Sequence, residues 1–171
     1  VLSKIIDWTD RGTCILFGDG AGAAVLKAGE GEGFRSILHS DGGRGEALTC
    51  SGKHWKSGED DTGFMKMDGR EVFQFAVKRV PEVIREVLEL NHCSLEEIDY
   101  FVVHQANRRI IESVARRLGT DVQKFPMNLQ DYGNTSSASI PILLAELRRN
   151  GTLKKGDRIL MAGFGAGLSW G

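Results

Sequence analysis

The amino-acid sequence predicts an α/β fold, a mixed sheet with helices packed on it, and three observations carry the prediction. An apolar β-branched run, Phe101-Val102-Val103, stops at His104 and gives way to a basic pattern with helical spacing. Upstream, Val72, Ala76, Val80, Val83, Ile84 and Val87 recur three and four residues apart, as one buried helical face requires. A second short apolar run, Arg158–Ala162, follows a Lys-Lys-Gly-Asp turn. Strands alternating with helices in this way belong to layered α/β architectures. With 171 residues, 41% of them apolar, the chain can bury a real core, as one domain or as one half of a larger duplicated one.

In order along the chain, Thr13–Phe17 and Ala23–Ala28 flank Gly18-Asp19-Gly20-Ala21-Gly22, which predicts a β-hairpin. The glycines do not read as a phosphate loop, because strand-like residues rather than a helix follow them. Residues 29–68 are rich in Gly, Asp, Ser and Lys and read as loop, with one short strand at Phe34–His39; Trp55 and Phe64 indicate a loop that packs. A helix follows from about Glu71 to Leu90, which Pro81 is expected to kink or divide. Ser94-Leu95-Glu96-Glu97 matches a capping box and predicts a short helix before the strand Tyr100–Val103. The next helix buries Ile110, Ile111, Val114 and Leu118 and ends at Gly119, a residue suited to the left-handed C′ position. Lys124–Leu129 reads as a short strand, Ser137–Arg149 as a helix with Pro141 near its first turns, and Arg158–Ala162 as a buried strand. The segment after Gly167 looks like a turn entering a further strand, so truncation at both ends is expected.

Composition narrows the function classes. A formal net charge of −1 gives no overall attraction to nucleic acid or membrane, no stretch approaches a membrane span, and no targeting signal is visible. Cys14, Cys50 and Cys93 are odd in number and lack CxxC spacing, which fits a reducing, cytoplasmic setting and argues against a zinc site. None is expected at a helix N-terminus, where a thiolate would be favoured: Cys14 opens an apolar strand, Cys50 lies in a loop and Cys93 precedes a capping serine. No metal site is expected.

In open α/β sheets ligands meet the carboxyl ends of strands, so His104 at a strand-to-helix junction is the first candidate for chemistry. Tyr132-Gly133-Asn134-Thr135-Ser136-Ser137 follows another apolar segment and brings Asn134 to the same rim. Phe164-Gly165-Ala166-Gly167 allows backbone N–H groups to approach a ligand closely. Histidine and asparagine donors beside a backbone amide suit an oxyanion or enolate. Each has a plainer use: a hydrogen-bonded structural histidine, turn chemistry at Gly133-Asn134, and a tight bend. Arg108, Arg109, Arg116 and Arg117 read as a solvated helix face or as a surface for an acidic partner; without interleaved aromatics they do not suit nucleic acid.

These motifs resemble a known family. His104-Gln105-Ala106-Asn107-Arg108-Arg109-Ile110, then Gly133-Asn134-Thr135-Ser136 and the closing Gly163-Phe164-Gly165-Ala166-Gly167-Leu168-Ser169-Trp170-Gly171, are similar to the C-terminal half of β-ketoacyl-[acyl carrier protein] synthase III. Asp10-Arg11-Gly12-Thr13 and Phe17–Val25 match the same family in the same order. The resemblance implies one half of a thiolase-like fold over residues 1–171, with the nucleophilic cysteine in an N-terminal half that this chain lacks, and a homodimeric enzyme in the cytoplasm, or in a plastid or mitochondrion in a eukaryote. It implies condensation of an acyl-CoA starter, such as acetyl-CoA, with malonyl-acyl carrier protein at the start of fatty-acid synthesis, coenzyme A entering as substrate thioester and no cofactor being required. By motif, His104 and Asn134 stabilise the malonyl-derived enolate, Gly165 and Ala166 form the oxyanion hole, and Arg11 and Asn107 contact coenzyme A. Arg109, Arg116 and Arg117 receive the acidic carrier protein. On this reading the chain alone is inactive. The alternatives are a related thiolase-fold condensing enzyme with another starter, or a non-catalytic module that binds carrier protein or coenzyme A.

Overall fold

The computed structural model describes residues 1–27, 35–50 and 63–171. Its strands and helices are β1 (His39–Ser40), β2 (Leu48–Cys50), β3 (Met65–Met67), α1 (Gly69–Leu90), β4 (Tyr100–Val103), α2 (Arg108–Leu118), α3 (Leu129–Tyr132), α4 (Ser139–Arg149), β5 (Ile159–Ala162), β6 (Phe164–Gly165) and β7 (Ser169–Trp170). None of these helices is long and apolar enough to cross a membrane.

The centre is the parallel pair β4–β5, in register Phe101 to Leu160 and Val103 to Ala162. Side chains alternate across a strand, so the pair has two faces to cover. Phe101 and Val103 pack with α1 and α2 through Phe75, Ile84, Ile111 and Val114, whereas Val102 points the other way onto Leu143 and Leu147 of α4. Phe125 stacks on Phe101 at 4.7 Å between ring centroids. β4 thus has helices on both faces, which is why its run is apolar throughout; β5, expected as a buried strand, is covered only in part, with Leu160 and Ala162 buried and Met161 43% exposed.

Asp68 starts α1: its carboxylate accepts from the Arg70 and Glu71 amides at 3.0 and 2.9 Å. The helix runs through Pro81 without division. Proline removes a donor there, but Val77, Val80, Val83 and Ile84 are buried on either side, and tertiary packing outweighs the lost bond. At the far end of α2, Gly119 takes the left-handed conformation (φ 76°) expected of it.

Several expected elements are different. Residues 13–27 form no hairpin: Cys14–Leu16 are held in turns by the Thr13 and Cys14 amides donating to the Asp10 carbonyl, and residues 18–27 pair with no strand among the described residues. The glycines instead let this segment lie against the region around α3 and α4, since a Cβ on Gly18 would sit 2.1 Å from the Tyr132 carbonyl oxygen and one on Gly22 2.3 Å from Pro141. Within Phe34–His39 only His39 joins a strand; Phe34 and Trp55 lie outside the described residues. The capping-box contact forms, Glu97 accepting from the Ser94 amide at 2.8 Å, but it closes a turn and no helix follows. Lys124–Leu129 contains no strand, because Val122–Lys124 winds into a 3₁₀ turn capped by Asp121 and the chain then reaches α3. Cys50 belongs to β2 rather than to a loop, and Cys14 to a turn rather than to a strand. The antiparallel pairing arises elsewhere, in β2–β3 and in the three-stranded β1–β7–β6 sheet. The strand expected after Gly167 is β7.

Candidate active site

The end of β4 is extended by one hydrogen bond, from the His104 amide to the Ala162 carbonyl at 2.8 Å. The junction is then fixed by Gln105, which is buried and satisfied at both ends of its side chain. Its Nε2 donates to the Val103 carbonyl at 2.8 Å, and its Oε1 accepts from the Asn128 amide at 3.1 Å. Asn107 caps α2, its side chain accepting from the Ile110 amide at 3.0 Å. Strand, histidine and helix are thereby held in one rigid sequence.

His104 Nδ1 lies 2.7 Å from the Ser139 hydroxyl at the start of α4, and its ring meets Phe164 edge-on at 5.1 Å. Burial without an opposing charge pushes the imidazole down to about 4, so it is neutral near pH 7. Nε2 has no partner among the described residues.

Asn134 is held by its backbone, its N–H donating to the Leu16 carbonyl and its carbonyl accepting from Gly18, both at 2.9 Å. These bonds make a single parallel bridge to Phe17, and no strand precedes Asn134 as it precedes His104. Gly133 enters at φ 66°, where a Cβ would lie 3.0 Å from the Leu16 carbonyl oxygen. The Ser136 amide donates to Asn134 Oδ1 at 2.9 Å, and Ser136 itself is left-handed (φ 55°). With Oδ1 committed, the Nδ2 protons are the free donors of that side chain.

His104, Asn134, Asn107, Gly165 and Ala166 line one cavity of about 230 Å³. The Ala166 N–H makes no hydrogen bond within the described residues, and its φ is not positive, so the turn accepts its Cβ without strain. Gly165 pairs with Ser169 in the β6–β7 ladder, and Leu168 and Asp41 exchange backbone hydrogen bonds that hold the turn. The cavity therefore collects the side chains of His104 and Asn134 and the backbone turn at Gly165 and Ala166.

The arginines lie outside it. Arg109 is exposed, its guanidinium 5.9 Å from the ring of Phe73, which lines the cavity. Arg116 and Arg117 are exposed in the last turn of α2, where positive charge complements the helix carbonyls. Arg11 is exposed on a turn organised by Asp10, which accepts from the Gly12 amide and the Thr13 hydroxyl, each at 2.8 Å. It does not reach the cavity lining. Sequence reasoning does not reach Phe73 of α1 or Cys50 of β2, which line the cavity, nor Ser139 of α4, which touches His104. No one-dimensional pattern marks these residues, because β2, α1 and α4 meet only in the folded chain.

Comparison with known proteins agrees with this architecture. The family model described as 3-Oxoacyl-[acyl-carrier-protein (ACP)] synthase III C terminal matches residues 88–171, and that described as 3-Oxoacyl-[acyl-carrier-protein (ACP)] synthase III matches residues 1–42. The β-ketoacyl-[acyl-carrier-protein] synthase III of Streptococcus mutans is 51% identical over 180 aligned residues, covering 100% of this chain and 55% of that protein. The Clostridium tetani synthase III is 46% identical over 99% of this chain and 55% of its own length. Among solved structures, 3-oxoacyl-[acyl-carrier-protein] synthase III of Aquifex aeolicus superposes with a TM-score of 0.89 at 43% identity, covering 99% of this chain and 53% of that one. The priming β-ketosynthase of the R1128 polyketide pathway superposes with a TM-score of 0.91 at 38% identity, over 99% and 52%. The chain thus spans about half the length of the relatives it matches. Its fold is the corresponding part of the thiolase-like fold of those enzymes, and by sequence and structure together the chain belongs to the β-ketoacyl-[acyl carrier protein] synthase III family.

Proposed function

We propose that this chain supplies the enolate-stabilising half of a β-ketoacyl-[acyl carrier protein] synthase III, an acyltransferase that joins an acyl-CoA starter to malonyl-acyl carrier protein. The observation that carries the reading is the convergence on one cavity of a neutral His104, the Asn134 side-chain amide and the Ala166 N–H, the last two donating to no partner among the described residues. A charged imidazole or an acid there would act as a proton donor; neutral donors hold a developing negative charge without quenching it.

In the proposed reaction the starter acyl group is first carried as a thioester on a cysteine from the remainder of the full-length protein. The bond from the malonyl methylene carbon to its carboxylate then breaks and carbon dioxide leaves. The electron pair moves into the thioester carbonyl, and the resulting enolate oxygen accepts hydrogen bonds from His104 and Asn134. The enolate carbon attacks the acyl-enzyme carbonyl, whose oxygen takes the negative charge beside the Ala166 amide and Gly165. Collapse of that adduct expels the cysteine thiolate and leaves the β-ketoacyl thioester on the carrier protein. Asn107 and Arg11 would contact the coenzyme A thioester, and Arg109, Arg116 and Arg117 would receive the carrier protein, with the enzyme working as a homodimer.

The cysteines of this chain do not suit the nucleophile's role. Cys50 lines the cavity, but its thiol donates to the Gly63 carbonyl at 3.2 Å, and neither it nor Cys14 nor Cys93 sits at a helix N-terminus. The test is made in the full-length protein: His104→Ala and Asn134→Ala should each slow malonyl decarboxylation by about 10²–10³-fold, the range for losing one such donor. Acyl transfer from coenzyme A to cysteine should persist. Undiminished decarboxylation in both variants would overturn the reading.

A further inference from the structure

We propose that Ser139 is a positioning residue that fixes the tautomer of His104, its hydroxyl donating to Nδ1 so that the imidazole proton resides on Nε2, towards the cavity. The inference rests on the enolate-stabilising role proposed above and adds the residue on which that role depends.

Ser139 is 2% exposed and occupies the first helical position of α4, one residue after the N-cap Ala138. Its oxygen receives the Gln105 amide at 3.3 Å and lies 2.7 Å from His104 Nδ1. The Gln105 amide is an obligate donor, so it must use a lone pair of that oxygen. The serine proton then has one acceptor among the described residues, Nδ1, and only a deprotonated Nδ1 can accept it. In the reverse arrangement, with the proton on Nδ1, the serine would accept twice and its own buried O–H would have no acceptor, leaving its desolvation uncompensated. That arrangement would also turn the Nε2 lone pair towards an oxygen gaining negative charge. Gln105 anchors the relay: bonds to the Val103 carbonyl and the Asn128 amide hold it in place, so the direction of the Ser139 hydroxyl is set by backbone geometry. The two electrophilic side chains are thus oriented alike, Asn134 by the Ser136 amide and His104 by the Ser139 hydroxyl.

The test uses the full-length protein with imidazole-¹⁵N-labelled histidine, read by NMR and by steady-state decarboxylation of malonyl-carrier protein. Expected are a wild-type His104 protonated at Nε2, and a Ser139→Ala variant that mixes tautomers. In that variant kcat should fall about tenfold, as loss of one net hydrogen bond implies, while KM stays within roughly twofold. Ser139→Thr, which keeps the hydroxyl, should restore both readouts. A wild-type proton on Nδ1 would overturn the proposal even if Ser139→Ala fails to fold, as would full kcat in a folded Ser139→Ala protein. A wild-type protein with its proton on Nε2 but no decarboxylase activity would uphold the tautomer assignment and overturn the functional reading.

Discussion

Replacing His104 with a residue that does not titrate should change how stability responds to acid, by an amount the site sets. In the unfolded chain histidine titrates near 6.5, and burial behind Phe164 and Ser139 lowers the folded value to about 4. Between these values the unfolded state binds the extra proton, so stability falls as pH falls from 6.5 towards 4. Linkage with these two values makes His104 cost about 2 kcal/mol at pH 5 relative to pH 7, and on the order of 3 kcal/mol below pH 4. His104→Gln removes this dependence whatever it does to absolute stability. The assay is urea unfolding of both proteins at half-unit steps from pH 4.5 to 7.5, comparing slopes rather than midpoints. The wild-type curve should drop more steeply than that of the variant between pH 6.5 and 4.5, and the two should run parallel above pH 7. Parallel curves throughout would show that His104 titrates as a solvated side chain, and the neutral-donor argument would lose its basis.

Two further perturbations probe the cavity's surroundings. Asn107→Ala removes the cap on the Ile110 amide and should cost about 1 kcal/mol in urea unfolding; no change would mean that water replaces the cap at no loss. Arg109→Glu, at an exposed position beside Phe73, should raise KM for malonyl-carrier protein by roughly fivefold at low salt. It should leave a small malonyl thioester unaffected. The wild-type KM should rise with salt as screening grows, and a salt-independent KM would remove Arg109 from carrier recognition.

The parts of the fold that were legible from sequence are those whose signal is local and repeated. The α2 face shows Ile110, Ile111, Val114 and Leu118 at helical spacing with Gly119 after them, and the structure places the left-handed cap there. The Phe101–Val103 run could be read because a strand buried on both faces must be apolar throughout. The Thr13–Ala28 segment misled because its apolar residues resemble strands, yet a strand needs a neighbour, and none of residues 19–27 has a backbone partner among the described residues; Val25 and Leu26 are 98% and 93% exposed. Strand pairing is a long-range property that residue type cannot supply. The same holds for the site. His104 was visible at a strand-to-helix junction and Asn134 after an apolar segment, and the Ser136 amide that holds Asn134 is only two residues away; the hydroxyl that orients His104 depends on the α4 start folding back onto β4. Ser139 lies 35 residues from His104 along the chain, and no spacing rule links them.

The most direct test of the central claim is single-turnover release of carbon dioxide from malonyl-carrier protein by the full-length protein carrying His104→Ala and Asn134→Ala together, with acyl transfer to cysteine measured in the same sample. If both side chains hold one enolate oxygen, they act as a unit. The double variant should then lose far less than the product of the two single losses, and acylation should stay intact. Carbon dioxide release at the wild-type rate, or equal loss of acylation and decarboxylation, would contradict the assignment of this cavity to the enolate.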